Sequence, residues 1–251
     1  MLKRWNPKNL VNMKPFITAM CGNRRSGKST LQAHLLEEHL SKEFDLIISF
    51  AGSVSCSPEV VGFFQKRGKA HLMFDSINEN FIRTLCAQQE ALKQQGITRS
   101  VLLLLDDVEM DKHLQMIFGN FSQRARHYNI SIMIAAVSYT SVSKNYRRSL
   151  DIVFFFKLNM TSDKKLLLDE FTSNRRFSEF CMEDLQQYHC LVQEKNYASE
   201  LFIYSVENEE EKNQDPVQCS EEMVISAETD NTGLEQASQS SNEESEETAD
   251  V

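Results

Sequence analysis

The segment Gly22-Asn23-Arg24-Arg25-Ser26-Gly27-Lys28-Ser29 has the spacing G-x-x-x-x-G-K-[ST]. It lies between an apolar extended run, Phe16-Ile17-Thr18-Ala19-Met20-Cys21, and a helical pattern that begins near Thr30. Strand, glycine-rich loop and helix are the context in which this spacing binds phosphate. Backbone N–H groups of the loop converge on phosphate oxygens, and the helix N-terminus adds positive potential. Gly22 and Gly27 let the chain turn and approach the ligand closely. Lys28 is placed to reach the β- and γ-phosphates, and the Ser29 hydroxyl to enter the shell of a Mg²⁺ ion. Residues 22–30, from Gly22 through Asn23, Arg24, Arg25, Ser26, Gly27, Lys28 and Ser29 to Thr30, are therefore expected to hold ATP with Mg²⁺.

The complementary carboxylates are expected about eighty residues on. Val101-Leu102-Leu103-Leu104-Leu105-Asp106-Asp107 is an apolar run that ends in two acids. Absence of polar alternation fits a strand buried on both faces of a parallel sheet. Acids at its C-terminal end fall where ligands bind in open α/β sheets. Asp106 is the expected Mg²⁺ partner through a metal-bound water, with Ser29 as the second metal residue. Asp107 is the expected group that orients or deprotonates the attacking water, and Glu109 is the alternative.

These groups need an α/β scaffold, and the remaining patterns supply one. Leu31, Leu35, Leu36 and Leu40 give a helix after the loop an apolar face. Residues 46–50 read as a strand, followed by a loop with Gly52, Ser53, Ser55 and Ser57-Pro58 and a short helix near 59–66. Ile77, Phe81, Leu85 and Leu92 repeat at helical spacing up to Gly96. Leu114, Ile117, Phe118, Phe121, Ala125 and Tyr128 predict one amphipathic helix over 114–128. Residues 130–137 and 152–156 are further apolar strands, and 189–193 with 201–206 form a terminal β-hairpin. Strands alternating with helices imply right-handed crossovers and a mainly parallel sheet flanked by helices. The strand from Ile130 runs into Ser138-Tyr139, so Ser138 could stand beside Asp107 and sense the γ-phosphate. Residues 1–14, with Lys3, Arg4, Lys8 and Lys14, read as basic surface chain.

Charge divides the 251-residue chain. Residues 207–251 hold fifteen Asp and Glu against Lys212 alone, a net of −14; the whole chain is −9, which leaves +5 for residues 1–206. The acidic segment has no aromatic residue and few apolar ones, too few to offset its ordering entropy. Residues 1–206 are expected to form one ATPase domain and 207–251 a disordered acidic tail. The six cysteines show no paired spacing, so neither a zinc ribbon nor a disulfide framework is suggested, and a reducing compartment is expected. No apolar run reaches membrane-spanning length and no secretory leader is evident, so the expectation is an intracellular protein with no membrane association.

Taken together, the loop at 22–30, the Asp106-Asp107 pair and the run Arg124-Ala125-Arg126-His127-Tyr128-Asn129-Ile130-Ser131-Ile132 resemble the genome-packaging ATPases of large DNA viruses, poxvirus-type, within the FtsK–HerA superfamily. That family has a similar arginine–histidine run leading into its sensor strand. The likeness covers roughly 15–206 in element order. It implies a RecA-like P-loop NTPase fold, ATP hydrolysis, and a homo-oligomeric ring that moves double-stranded DNA, in a virus-infected cell or virion. Carried onto this chain, Lys28 and Ser29 bind phosphate and Mg²⁺, Asp106 holds the metal and Asp107 activates water. An arginine from a neighbouring subunit completes the site, with Arg124 and Arg126 as candidates. A glutamine is usual at the end of the family's sensor strand, where this chain has Val137-Ser138. DNA contacts are expected to be phosphate-directed, with Lys144, Arg147, Arg148, Arg175 and Arg176 as candidates, and the acidic tail could dock on a capsid or portal component. Two other functions use the same loop: a kinase of a nucleoside or other small molecule, and a nucleotide-binding scaffold that does not hydrolyse.

Overall fold

The five apolar runs lie side by side as the parallel centre of one sheet. The computed structural model describes residues 2–51, 71–171, 175–195 and 200–206. Its strands are β1 (Lys3–Arg4), β2 (Ile17–Cys21), β3 (Leu46–Ala51), β4 (Leu72–Phe74), β5 (Val101–Asp106), β6 (Ile130–Ala136), β7 (Ile152–Phe155), β8 (His189–Glu194) and β9 (Leu201–Ser205). They are ordered β1-β9-β8-β7-β2-β6-β5-β3-β4. The stretch from β7 to β4 is parallel throughout. β8 turns back against β7, and β9 against β8, which is the expected hairpin. Every residue of β2, β5 and β7 is buried, as strands covered on both faces require.

The helices are α1 (Lys8–Asn12), α2 (Lys28–Leu35), α3 (Glu79–Gln94), α4 (Lys112–Arg124), α5 (Lys144–Ser149), α6 (Thr161–Phe171) and α7 (Arg175–Glu183). α2 starts at Lys28, two residues before the expected Thr30, and runs on as a π-helical turn, Leu36–Leu40. Its apolar residues Leu31, Leu35, Leu36 and Leu40 pack in one core with Phe16, Met20, Leu102, Leu104, Met133 and Phe154. Among the described residues no helix is long and apolar enough to cross a membrane.

The amphipathic pattern at 114–128 is not one α-helix. Asp111 caps α4 by accepting from the Leu114 N–H at 2.7 Å, but the helix stops at Arg124 and tightens into a 3₁₀ turn, Ala125–Tyr128. Asn129, in the left-handed conformation at φ 55°, ends that turn and directs the chain into β6. Ala125, at the junction, is fully buried, so the apolar face carries through the change.

The basic lead-in is not surface chain. β1 joins the sheet parallel to β9, and Leu10 of α1 is fully buried. Trp5, only 1% exposed, donates its indole N–H to Glu194 Oε1 at 2.6 Å and meets Phe154 and Tyr204 edge to face. Asn9 Nδ2 donates to the same oxygen at 2.8 Å, so the buried carboxylate is satisfied. Four basic residues mask two anchors that close the core from below β7 to β9. Trp5→Ala is expected to destabilise the chain by about 3–5 kcal/mol in urea denaturation, the cost of emptying a large aromatic site. The loop from Gly52, the helix near 59–66, the side chains of Arg175 and Arg176, and the tail at 207–251 lie outside the described residues.

Candidate active site

β2 delivers the chain at Cys21 into the phosphate loop, between β6 and β7. The Gly22 N–H donates to Ala136 O at 3.3 Å and the Asn23 N–H to Lys157 O at 3.3 Å, pinning the loop to both neighbours. A Cβ on Gly22 would stand 2.4 Å from Phe156 Cβ, so only glycine fits there. Gly27 has φ 105° and caps α2, a conformation that side chains disfavour. Arg24 and Arg25 are exposed on the loop's outer turn, and Thr30 is half-buried in the first turn of α2.

Lys28 is buried, and its ammonium donates to Gly22 O at 2.8 Å and Asn23 O at 2.7 Å. Burial pulls its pKa below the ordinary lysine value, against the opposing pull of Asp106. Ser26 Oγ is buried with no hydrogen-bond partner among the described residues. A buried hydroxyl without a partner, inside a glycine-rich loop before a helix N-terminus, is what a phosphate oxygen would satisfy. Cys21 beneath the loop is inert: burial pushes its thiol up to about 12, with Lys28 opposing, so it stays protonated.

Asp106 ends β5, and Ser29 Oγ donates to its Oδ2 at 3.0 Å. Seventy-seven residues separate the two in the chain. β6 lies between the loop strand and the Asp strand, so the Ser29–Asp106 contact crosses over the end of β6. Both groups are hard oxygen donors of the kind Mg²⁺ takes, and this ion is commonly held by one or two protein oxygens plus phosphate and water. The pair fits the ion, which would neutralise charge developing on the phosphate oxygens. Among the described residues no cluster of three His, Cys, Asp or Glu side chains forms a dedicated metal cage.

Asp107 takes the left-handed conformation at φ 48° and donates its N–H to Ala135 O at 3.1 Å. Its exposed side chain and that of Glu109 both line a cleft of about 770 Å³, together with Ser138, Ser141 and Tyr146. Both carboxylates are thus open to that cleft. Ser138 is at the expected edge, but its hydroxyl is held by Asp163 Oδ1 at 3.0 Å and Thr140 Oγ1 at 2.8 Å. Asp163, buried in the first turn of α6, also accepts the Thr140 N–H at 3.0 Å. Sequence reading missed Asp163, because a lone acid at a helix start carries no signal of a partner twenty-five residues away.

Arg124 and Arg126 stand apart from these groups. Both precede β6 and so lie at the N-terminal edge of the parallel strands, opposite the phosphate loop. Arg126 is exposed on one side and pairs with Asp151, whose other oxygen accepts the Ile17 N–H at 2.8 Å. Arg147 is not available to DNA as expected. It turns inward to Glu170 at 3.0 Å, donates to Val142 O at 2.7 Å and covers the Tyr139 ring at 5.3 Å. Lys144 and Arg148 remain exposed.

The family model of the Poxvirus A32 protein matches residues 2–178 of this chain. The chain belongs to that family. An uncharacterised protein, 015R, of Frog virus 3 (isolate Goorha) is 28% identical over a 196-residue alignment that covers 74% of this poxvirus A32-family chain and 58% of that relative. The chain thus spans little more than half the length of that relative. Among solved structures, the DNA-packaging ATPase B204 of Sulfolobus Turreted Icosahedral Virus superposes with a TM-score of 0.60 at 16% identity, covering 78% of this chain and 99% of B204. The packaging NTPase B204 of Sulfolobus turreted icosahedral virus 2, in complex with ATP-gammaS, gives 0.59 at 15% identity, covering 81% of this chain and all of that one. The cytoplasmic domain of the type VII secretion ATPase EccC of Thermomonospora curvata gives 0.56 at 12% identity, over 78% of this chain and 26% of EccC. These likenesses establish the fold of the A32-family chain as that of a RecA-like P-loop NTPase.

Proposed function

We propose that this chain is an ATPase that hydrolyses Mg²⁺-bound ATP and uses the energy to move double-stranded DNA in the packaging of a viral genome. The observation that carries the reading is the meeting of Ser29 and Asp106 at 3.0 Å across the end of an inserted strand, with Asp107 next to Asp106 in the chain and exposed. That arrangement supports a metal-binding pair with a carboxylate to activate water, which hydrolysis needs and a bare scaffold does not. Lys28 holds the phosphates, Asp106 and Ser29 the metal, and Asp107 the attacking water. Packaging as the use of that energy is supported by membership of the Poxvirus A32 protein family and by the shared fold of the viral packaging ATPases.

A ring of identical subunits is part of this reading, and the position of the arginines is consistent with it. Arg124 and Arg126 lie across the sheet from their own loop, so in this reading one of them serves a neighbour's nucleotide. Arg124 is the better placed, since Arg126 would first have to release Asp151.

Steady-state ATP hydrolysis by the full chain, with and without linear duplex DNA at low and moderate salt, tests the reading. Turnover is expected to rise with DNA, and the stimulation to fade as salt screens the phosphate contacts. Hydrolysis that stays flat across DNA concentrations would remove the motor and leave an ATPase of other use.

A further inference from the structure

The reacting groups all lie on one side of the phosphate loop. Asp106 and Asp107 end β5 and Ser138 follows β6, and both strands flank β2 on the same side. A triphosphate whose terminal phosphate faces those groups must leave the loop on the other side, toward β7 and β8. The residue that waits there is Tyr188. It sits in the turn that leads into β8, in the left-handed conformation at φ 64°, and is 44% exposed. A Cβ built on Gly27 would stand 2.7 Å from Tyr188 Cδ1 and 3.2 Å from its Cα, so the ring borders the glycine just before Lys28.

The turn is braced, not loose. The His189 N–H donates to Gln186 O at 3.2 Å, and Gln187 Nε2 reaches Arg25 O at 3.5 Å, tying the turn to the phosphate loop. A non-glycine residue with positive φ is uncommon, and such strain collects where the surrounding structure holds a ligand contact in place. Here it keeps a large aromatic ring at the loop's rim instead of letting it fold into the core.

We infer that Tyr188 is the stacking platform for the nucleobase, so the ligand of this loop is a nucleoside triphosphate whose base lies against the Tyr188 ring. The assignment rests on the nucleotide-binding reading above. Stacking tolerates any base, because each has a π-face, so purine and pyrimidine triphosphates share this contact. Tyr188 is thus a binding residue for the non-reacting end of the ligand and takes no part in hydrolysis.

Calorimetric titration of the full chain with Mg²⁺–ATP and with Mg²⁺–tripolyphosphate, which lacks base and sugar, separates the two ends of the ligand. Tyr188→Ala is expected to weaken ATP about five- to tenfold and to leave tripolyphosphate unchanged. Tyr188→Phe, which keeps the ring, is expected to bind ATP as the unaltered chain does. Unchanged ATP affinity in Tyr188→Ala overturns the assignment, as does a parallel loss of ATP and tripolyphosphate, which would make Tyr188 a support of the loop. Unaltered protein that binds neither ligand would sink the nucleotide reading itself, and this inference with it.

Discussion

Asp107→Asn is expected to bind ATP as tightly as the unaltered chain while its turnover falls by about 10²–10⁴-fold, the usual contribution of a positioned general base. The substitution suits the site for a backbone reason. Asp107 has φ 48°, and asparagine accepts the left-handed region as readily as aspartate. Shape, the N–H contact to Ala135 and the neighbouring Asp106 are all kept, so a loss of rate reports the lost carboxylate and not a collapsed loop. Rapid-quench hydrolysis alongside equilibrium ATP binding gives both quantities. Full turnover in Asp107→Asn would move the base to Glu109, which lines the same cleft, and Glu109→Gln would then show the loss instead.

Lys28→Ala is the second large effect, and it appears in binding. The Lys28 ammonium is buried and bridges two carbonyls of its own loop, Gly22 and Asn23. Removing it takes away the charge proposed to meet the phosphates and leaves both carbonyls without that donor. Truncating one member of a buried, hydrogen-bonded charge pair costs about 2–5 kcal/mol, so the ATP dissociation constant should rise at least about thirtyfold. Fluorescence titration with a labelled ATP measures it. Undiminished affinity would mean that the loop does not hold phosphate, which the Asp107 experiment alone cannot reveal. The pair of variants therefore separates binding from chemistry: one retains ligand without turnover, and the other loses the ligand.

Much of this molecule could be read along the chain because the signals are local. A glycine-rich loop is defined by eight consecutive residues, and its strand and helix are its covalent neighbours. The apolar runs at β2, β5, β6 and β7 lack alternation because both faces of each strand are covered, and that burial is written into each run separately. The basic lead-in was misread for the complementary reason. Lys3 and Arg4 are exposed edge-strand residues, and the burial is confined to Trp5 and Leu10, which show no period.

By itself, then, the sequence determined the central strands, the G-x-x-x-x-G-K-[ST] loop with Lys28 and Ser29, and the acids at the end of β5. These depend on composition and spacing within one segment. Only the tertiary structure decided which segments meet. It inserted β6 between β2 and β5, brought Ser29 to Asp106, and set Tyr188 against Gly27. It also tied Ser138 to Asp163, Arg126 to Asp151 and Arg147 to Glu170, which brings one hydroxyl and two guanidinium candidates into contacts of their own chain. Periodicity reports that a side chain is buried or exposed. It does not carry the identity of a partner, because strand order and crossovers bring together residues whose spacing in the chain holds no trace of the contact.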